Sequence, residues 1–186
     1  MAILVSWRFK YISSDNEVRM MNAKKRIALV IGSGGIKCAA AVGLWRVLQE
    51  ENIPVDHIVG CSGGSMYGTL IADNAKVGDM EAWSRVLWTS DIMQGYTENL
   101  KASKDGTLRF NERSGLVDDS ALNKKLENVF GKLSFSDLQL PLKIVATDML
   151  NGEKVILSEG NLFEAIRASV SMPPSTVMTE PCSIAL

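Results

Sequence analysis

From residue 25 onward the chain alternates short apolar runs with amphipathic stretches. Arg26-Ile27-Ala28-Leu29-Val30-Ile31 is a run rich in β-branched residues, halted by Gly32-Ser33-Gly34-Gly35, and predicts a buried parallel strand. Residues 39–50 carry Val42, Leu44, Trp45 and Leu48 at helical spacing. Small Ala39, Ala40, Ala41 and Gly43 among them allow close approach to a sheet, and Asn52-Ile53-Pro54 ends the helix. His57-Ile58-Val59 predicts a second strand, which Gly60-Cys61-Ser62-Gly63-Gly64 turns into a helix running toward Ile71-Ala72. Strand, glycine-rich loop and helix, repeated twice, define an α/β fold with a mainly parallel sheet.

Downstream, helices are expected over 79–93 and 118–130, with the polar, irregular stretch 94–115 between them. Residues 142–147 predict another core strand, Asn151-Gly152 a hairpin turn into 153–157, and residues 161–169 a final helix. Residues 1–24 lack a convincing period and are expected to form an N-terminal extension to a domain spanning 25–186, with Met21 a candidate start. There is no internal repeat or low-complexity tract.

The composition narrows the function. Twenty Lys and Arg against twenty-one Asp and Glu leave a net charge of −1 over 186 residues, which offers no electrostatic footprint for nucleic acid. With 46% hydrophobic residues the chain has material for one sizeable core. Its longest apolar stretch, 38–45, lies between Lys37 and Arg46 and falls far short of the roughly 18 residues a membrane span needs. Trp7-Arg8-Phe9-Lys10 interrupts the apolar start before a secretory signal could form. Cys38, Cys61 and Cys182 are an odd number without close spacing, which suits reduced thiols in the cytoplasm. His57 is the only histidine, so a zinc site is not expected, and a histidine-dependent triad would have to use it. It starts the strand whose far end carries Ser62, too distant for a hydrogen bond.

Gly60-Cys61-Ser62-Gly63-Gly64 satisfies the GxSxG nucleophile-elbow pattern and lies where an elbow must lie, between a strand and a helix. Glycines Gly60 and Gly64 permit the sharp turn that lifts the Ser62 hydroxyl above the sheet, and the helix N-terminus favours a developing oxyanion. The plainer reading is a β–α turn whose serine caps a helix. The loop Gly34-Gly35-Ile36-Lys37 leaves the neighbouring strand toward the same end of the sheet. It fails the dinucleotide fingerprint GxGxxG at Lys37 and lacks a phosphate-loop ending, which leaves a loop of backbone N–H groups with Lys37 adding positive charge. Lys37 also reads as a solvated lysine at a helix start, and Cys61 as packing.

Together these stretches resemble the patatin-like phospholipases, whose oxyanion loop reads GGGx[RK]G and whose serine sits in GxSxG. Gly115-Leu116-Val117-Asp118, Ala146-Thr147-Asp148 and Ala168-Ser169-Val170-Ser171-Met172-Pro173 resemble further landmarks of that family in the same order, so the likeness runs over about 25–174. The resemblance implies a three-layer α/β/α fold and a lipid acyl hydrolase that acts on carboxylic esters. Ser62 would be the nucleophile of a Ser-Asp dyad and the 34–37 loop the oxyanion site. Neither cofactor nor metal is required, and the substrate is a lipid or phospholipid met at a membrane surface by a cytoplasmic, peripherally bound protein.

Two departures stand out. Ser33 and Cys38 replace the first and last loop glycines. The family's dyad aspartate lies in an Asp-Gly-Gly or Asp-Gly-Ala motif beyond the 169–173 landmark, and no Asp follows Asp148 in this chain. The 25–186 domain is therefore expected to be incomplete or divergent at its C-terminus, with Asp148 a weak stand-in for the base and Glu180 weaker still. The alternative is a catalytically inactive chain that keeps the fold and binds lipid or a partner. Tryptophans Trp45, Trp83 and Trp88 and the nine methionines suit either a lipid-facing pocket or core packing.

Overall fold

The computed structural model describes residues 2–6 (backbone only), 26–89, 120–148 and 150–171. In chain order the elements are β1 (Ala2–Ser6), β2 (Ile27–Ile31), a 3-10 turn (Gly35–Ala39), α1 (Ala40–Glu50), β3 (His57–Cys61), α2 (Gly63–Ala72), α3 (Val77–Leu87), α4 (Ser120–Phe130), a 3-10 turn (Phe135–Asp137), β4 (Leu142–Thr147), β5 (Lys154–Leu157) and α5 (Leu162–Val170).

The five strands form one sheet in the order β1-β2-β3-β4-β5. Its three central strands are parallel, with Ile31 opposite Gly60 and Gly60 opposite Ile144. Strands β1 and β5 pair antiparallel at either side. The parallel centre results from the crossovers: α1 returns the chain between β2 and β3, and α2 through α4 return it between β3 and β4. The β4–β5 pair is the hairpin that Asn151-Gly152 predicts, with Gly152 at φ 75°.

Period-two burial decides how the sheet is covered. Leu29, Ile31, Ile58, Leu142 and Ile144 lie on one face and are almost fully buried, whereas Val30, Val59 and Val145 on the other are half-buried. Helix α2 presses on the first face: a β-carbon on Gly68 would stand 3.2 Å from Ile58 and 3.5 Å from Leu142. All ten residues of α2 are buried, so it is the central helix of the core. Helix α1 buries Ala41 and, at the predicted spacing, Val42, Trp45 and Leu48, with Leu44 half-buried. Ala40 and Gly43, expected against the sheet, are instead exposed, with open space around Gly43. An Arg46–Glu81 ion pair links α1 to α3. Helix α5 packs on β4 and α2 through Leu162, Ala165 and Ile166. The result is the α/β/α fold class with a mainly parallel sheet.

The described residues differ from expectation at three places. Residues 2–6, expected to lie in an extension, pair with the whole of β2. The loop after β2 closes into a 3-10 turn before α1 begins, because the Lys37 N–H donates to the Gly34 carbonyl at 3.0 Å. The helix expected over 79–93 begins earlier, at Val77, and ends earlier, at Leu87, with Trp88 as its C-cap. Residues 90–93 lie outside the described residues. The stretch 94–115 and the landmark at 115–118 lie outside the described residues.

Candidate functional site

Because β2, β3 and β4 are parallel, their C-terminal ends lie together at one end of the sheet, and that end carries the 32–37 loop, Ser62 and Asp148. Open α/β sheets place their ligand crevices at this end. His57 sits at the opposite end of β3, in register with Ala28, where the strand rise separates it from Ser62.

Ser62 is the one residue between β3 and α2. Its backbone has φ 53° and ψ −127°, a left-handed conformation strained for a residue with a β-carbon. It occupies the N-cap position, yet its side chain makes no capping hydrogen bond. The capping reading of this serine therefore falls. Its carbonyl is held instead by two donors from the next turn, the Ser65 N–H at 2.8 Å and the Ser65 hydroxyl at 2.6 Å. Thr69 continues the ladder, its hydroxyl donating to the Ser65 carbonyl at 2.8 Å. Among the described residues, the Ser62 hydroxyl is bonded to no carboxylate or imidazole.

The glycines around Ser62 are required by close approach. A β-carbon on Gly60 would stand 2.6 Å from the Ser65 α-carbon, and one on Gly64 would stand 2.7 Å from the Gly32 carbonyl oxygen. One on Gly63 would stand 2.8 Å from the Gly35 carbonyl oxygen and 3.1 Å from Cys38 Sγ. The first turn of α2 thus lies against the loop after β2, Gly63 beside Gly35 and Gly64 beside Gly32. Gly35 itself has φ 53°. Cys38 is buried and donates from its thiol to the Gly32 carbonyl at 3.3 Å, so the residue in place of the family's last loop glycine packs this junction. Burial pushes its thiol pKa up, and neighbouring Cys61 adds to the effect. Ile36 and Lys37 are exposed at the turn.

Asp148 is at the correct end of the sheet but is engaged locally. Its Oδ1 accepts from the Leu150 N–H at 2.9 Å, while its backbone exchanges hydrogen bonds with Glu153 and Gly152 across the hairpin. Glu180 and Cys182 lie outside the described residues. Cys61 ends β3, half-buried and opposite Val145. The tryptophans pack: Trp45 is buried, Trp83 meets Tyr67 and Phe130 edge-on, and Trp88 donates to the Tyr67 hydroxyl.

Sequence reasoning did not single out Ser169 for its chemistry. The Ser62 N–H donates to Ser169 Oγ at 2.7 Å, and the Ser169 hydroxyl donates to the Val145 carbonyl at 2.7 Å. The signal that could have found it was a polar residue four positions after Ala165 on the apolar face of the last helix.

A mainly parallel sheet flanked by helices, with a strained serine between strand and helix and a glycine loop from the next strand at the same end, defines an α/β/α protein. The chain belongs to the patatin-like phospholipase family, whose model matches residues 29–181. It is 31% identical over 166 residues to mouse patatin-like phospholipase domain-containing protein 7, covering 87% of this chain and 12% of that protein. It is 32% identical over 152 residues to the rat protein of the same name, covering 80% of this chain and 11% of the relative. It is also 30% identical over 152 residues to neuropathy target esterase sws of Drosophila sechellia, covering 80% and 10%. The chain thus spans about a tenth of the length of these relatives. Among the described residues no helix is long and apolar enough to cross a membrane.

Proposed function

We propose that the chain is a serine acyl hydrolase acting on the carboxylic esters of lipids, with Ser62 as nucleophile. The observation that carries this reading is the backbone of Ser62, held at φ 53° between β3 and α2 with its side chain free of any capping bond. Such strain is maintained where it serves chemistry, and it presents Oγ above the sheet end. The names of the relatives, a phospholipase-domain protein and an esterase, support the lipid ester as substrate.

In the first step Ser62 Oγ attacks the ester carbonyl carbon, and the carbonyl oxygen takes up the negative charge. Backbone N–H groups of Gly34, Gly35 and Ile36 and of Gly63 and Gly64 stabilise that oxyanion, while Lys37, whose N–H is bonded to the Gly34 carbonyl, contributes positive potential from its exposed side chain. The tetrahedral intermediate then collapses, the lipid alcohol leaves with a proton, and water hydrolyses the acyl-serine. The proton lost by Ser62 requires a base. Asp148 is a poor one, since its Oδ1 is bonded within the hairpin. Peripheral binding at a membrane surface fits this substrate class and belongs to the same proposal.

The test is covalent labelling of the purified chain by a fluorophosphonate probe, read by intact mass, with Ser62→Ala as control. One probe per chain, lost in Ser62→Ala, is expected. A folded chain that takes no probe would instead favour an inactive member of the family that binds lipid or a partner through the same fold.

A further inference from the structure

We propose that Ser169 is a positioning residue for Ser62: its hydroxyl, bridging the Ser62 N–H and the Val145 carbonyl, locks the elbow in its left-handed conformation and couples that conformation to the docking of α5. The inference rests on the reading of Ser62 as nucleophile and extends it to a residue 107 positions away in the chain.

The geometry is complete on both sides. A serine hydroxyl offers one proton, and here Ser169 gives it to Val145 at 2.7 Å while its oxygen receives the Ser62 N–H at 2.7 Å. The direction of each bond is fixed by the other. Val145 lies opposite Cys61 in the parallel β3–β4 register, so the hydroxyl spans the gap where β3 leaves the sheet and its ladder ends. Ala165, Ile166 and Ser169 share one face of α5, and the two apolar residues are buried. The helix thus places the Ser169 hydroxyl beside the buried Ala165 and Ile166, at the point where β3 gives way to the elbow and the Ser62 N–H needs an acceptor.

The bridge has two chemical consequences. A left-handed non-glycine residue persists only where its surroundings over-determine it. Ser65 holds the carbonyl of Ser62 and Ser169 holds its N–H, so both backbone groups of the strained residue are restrained by neighbouring hydroxyls. The second consequence concerns the oxyanion. With its amide directed at Ser169, Ser62 withholds that donor from substrate, leaving the task to the N–H groups of Gly63 and of Gly34, Gly35 and Ile36. Ser169 therefore acts through the aim of Oγ and touches no reacting atom.

The experiment compares wild type, Ser62→Ala, Ser169→Ala, Ser169→Thr and Ser169→Cys in the 186-residue chain. Fluorophosphonate labelling is measured as a rate and as a half-saturating probe concentration, and amide exchange at Ser62 is tracked by NMR. In Ser169→Ala the maximal labelling rate should fall about tenfold or more with little change in the half-saturating concentration. The Ser62 amide should exchange about tenfold faster while the amides later in α2 keep their protection. Ser169→Thr, which keeps the hydroxyl, should recover most of both losses. A merely structural role would lower thermal stability without this split and without rescue by Thr. Should Ser169→Ala fail to fold, Ser169→Cys, with its weak acceptor, carries the same comparison. Unchanged labelling and unchanged Ser62 exchange in a folded variant overturn the proposal. If the wild type takes no probe, the nucleophile reading fails by itself. The exchange data then decide alone: selective loss of Ser62 protection in Ser169→Ala supports the positioning role, and its retention overturns it.

Discussion

Gly64 and Gly32 meet backbone to backbone, a β-carbon on Gly64 standing 2.7 Å from the Gly32 carbonyl oxygen, with the Ile31 carbonyl closer still. The contact sets how deeply α2 settles onto the end of β2, and with it how near the elbow lies to the loop at Gly35. Gly64→Ala cannot be absorbed by a flexible side chain, because both obstacles are main-chain atoms. The variant should lose about 1–3 kcal/mol or more of stability. Its urea midpoint should fall clearly below wild type, whereas Gly43→Ala, with open space around it, should leave the midpoint unchanged or raised. Equal midpoints for Gly64→Ala and wild type would show that α2 can slide off β2.

The strain at Ser62 predicts an inverse relation between stability and reactivity. Glycine adopts φ 53° without a β-carbon penalty, whereas alanine keeps that penalty. Ser62→Gly should therefore melt above Ser62→Ala, by an amount on the order of 1 kcal/mol in free energy, although neither variant labels with a serine probe. Differential scanning calorimetry of the two variants side by side checks it. A Ser62→Gly variant no more stable than Ser62→Ala would mean the elbow is relaxed.

Local pattern revealed the elements whose cause is local. Strands β2, β3 and β4 are β-branched runs stopped by glycine or turn residues, and α1 shows its buried face at Val42, Trp45 and Leu48 as plain spacing. Ser62 was legible because a sharp strand-to-helix turn needs small neighbours in a fixed pattern. What escaped was set by partners remote in sequence. Residues 2–6 have no period of their own and become a strand by pairing with β2. The 3-10 turn at Gly35–Ala39 forms where Gly63 presses against Gly35, which no local signal announces. The bond from Ser62 to Ser169 closes only when α5 docks on β4.

Cysteine reactivity should divide along burial. Cys38 is 3% exposed, its thiol occupied by the Gly32 carbonyl and its pKa raised by burial. Cys61 is half-buried at the strand end. Limited iodoacetamide treatment of the native chain, read by peptide mass spectrometry, should alkylate Cys61 well before Cys38, and urea should remove the difference. Early alkylation of Cys38 under native conditions would show that the junction between the loop and α2 opens readily.

Tyr67 anchors α2 to α3 through a part-buried relay. Its hydroxyl donates to Ser84 Oγ at 3.0 Å and accepts from Trp88 Nε1 at 3.0 Å, while Ser84 donates onward to the Met80 carbonyl at 2.7 Å. Tyr67 is fully buried, and burial raises its pKa. Ser84→Ala strands the tyrosine proton without its acceptor and should destabilise by about 1–3 kcal/mol. Adding Tyr67→Phe removes the stranded group, so the double variant should be less destabilised than the sum of the two singles. Strict additivity in urea unfolding would show that the relay is broken in solution.

His57 makes the fold sensitive to mild acid. It is half-buried at the start of β3, and its pKa is lowered from 6.5, first by burial and then by the positive charges of Lys143 and Arg26. As pH falls through about 6.5 the unfolded chain binds the proton first, while the folded chain resists it. The contribution of His57 to stability is therefore fully present above that pH. It is lost progressively as pH falls from there toward the folded value. His57→Gln cannot take up the proton, so the stability difference between variant and wild type should shift in favour of the variant between about pH 7.5 and about pH 5.5. Urea midpoints of the pair at both pH values provide the measurement. Carboxylates titrating at lower pH are common to both proteins and cancel in the difference, and a constant difference would mean that solvent reaches the imidazole freely in the folded chain.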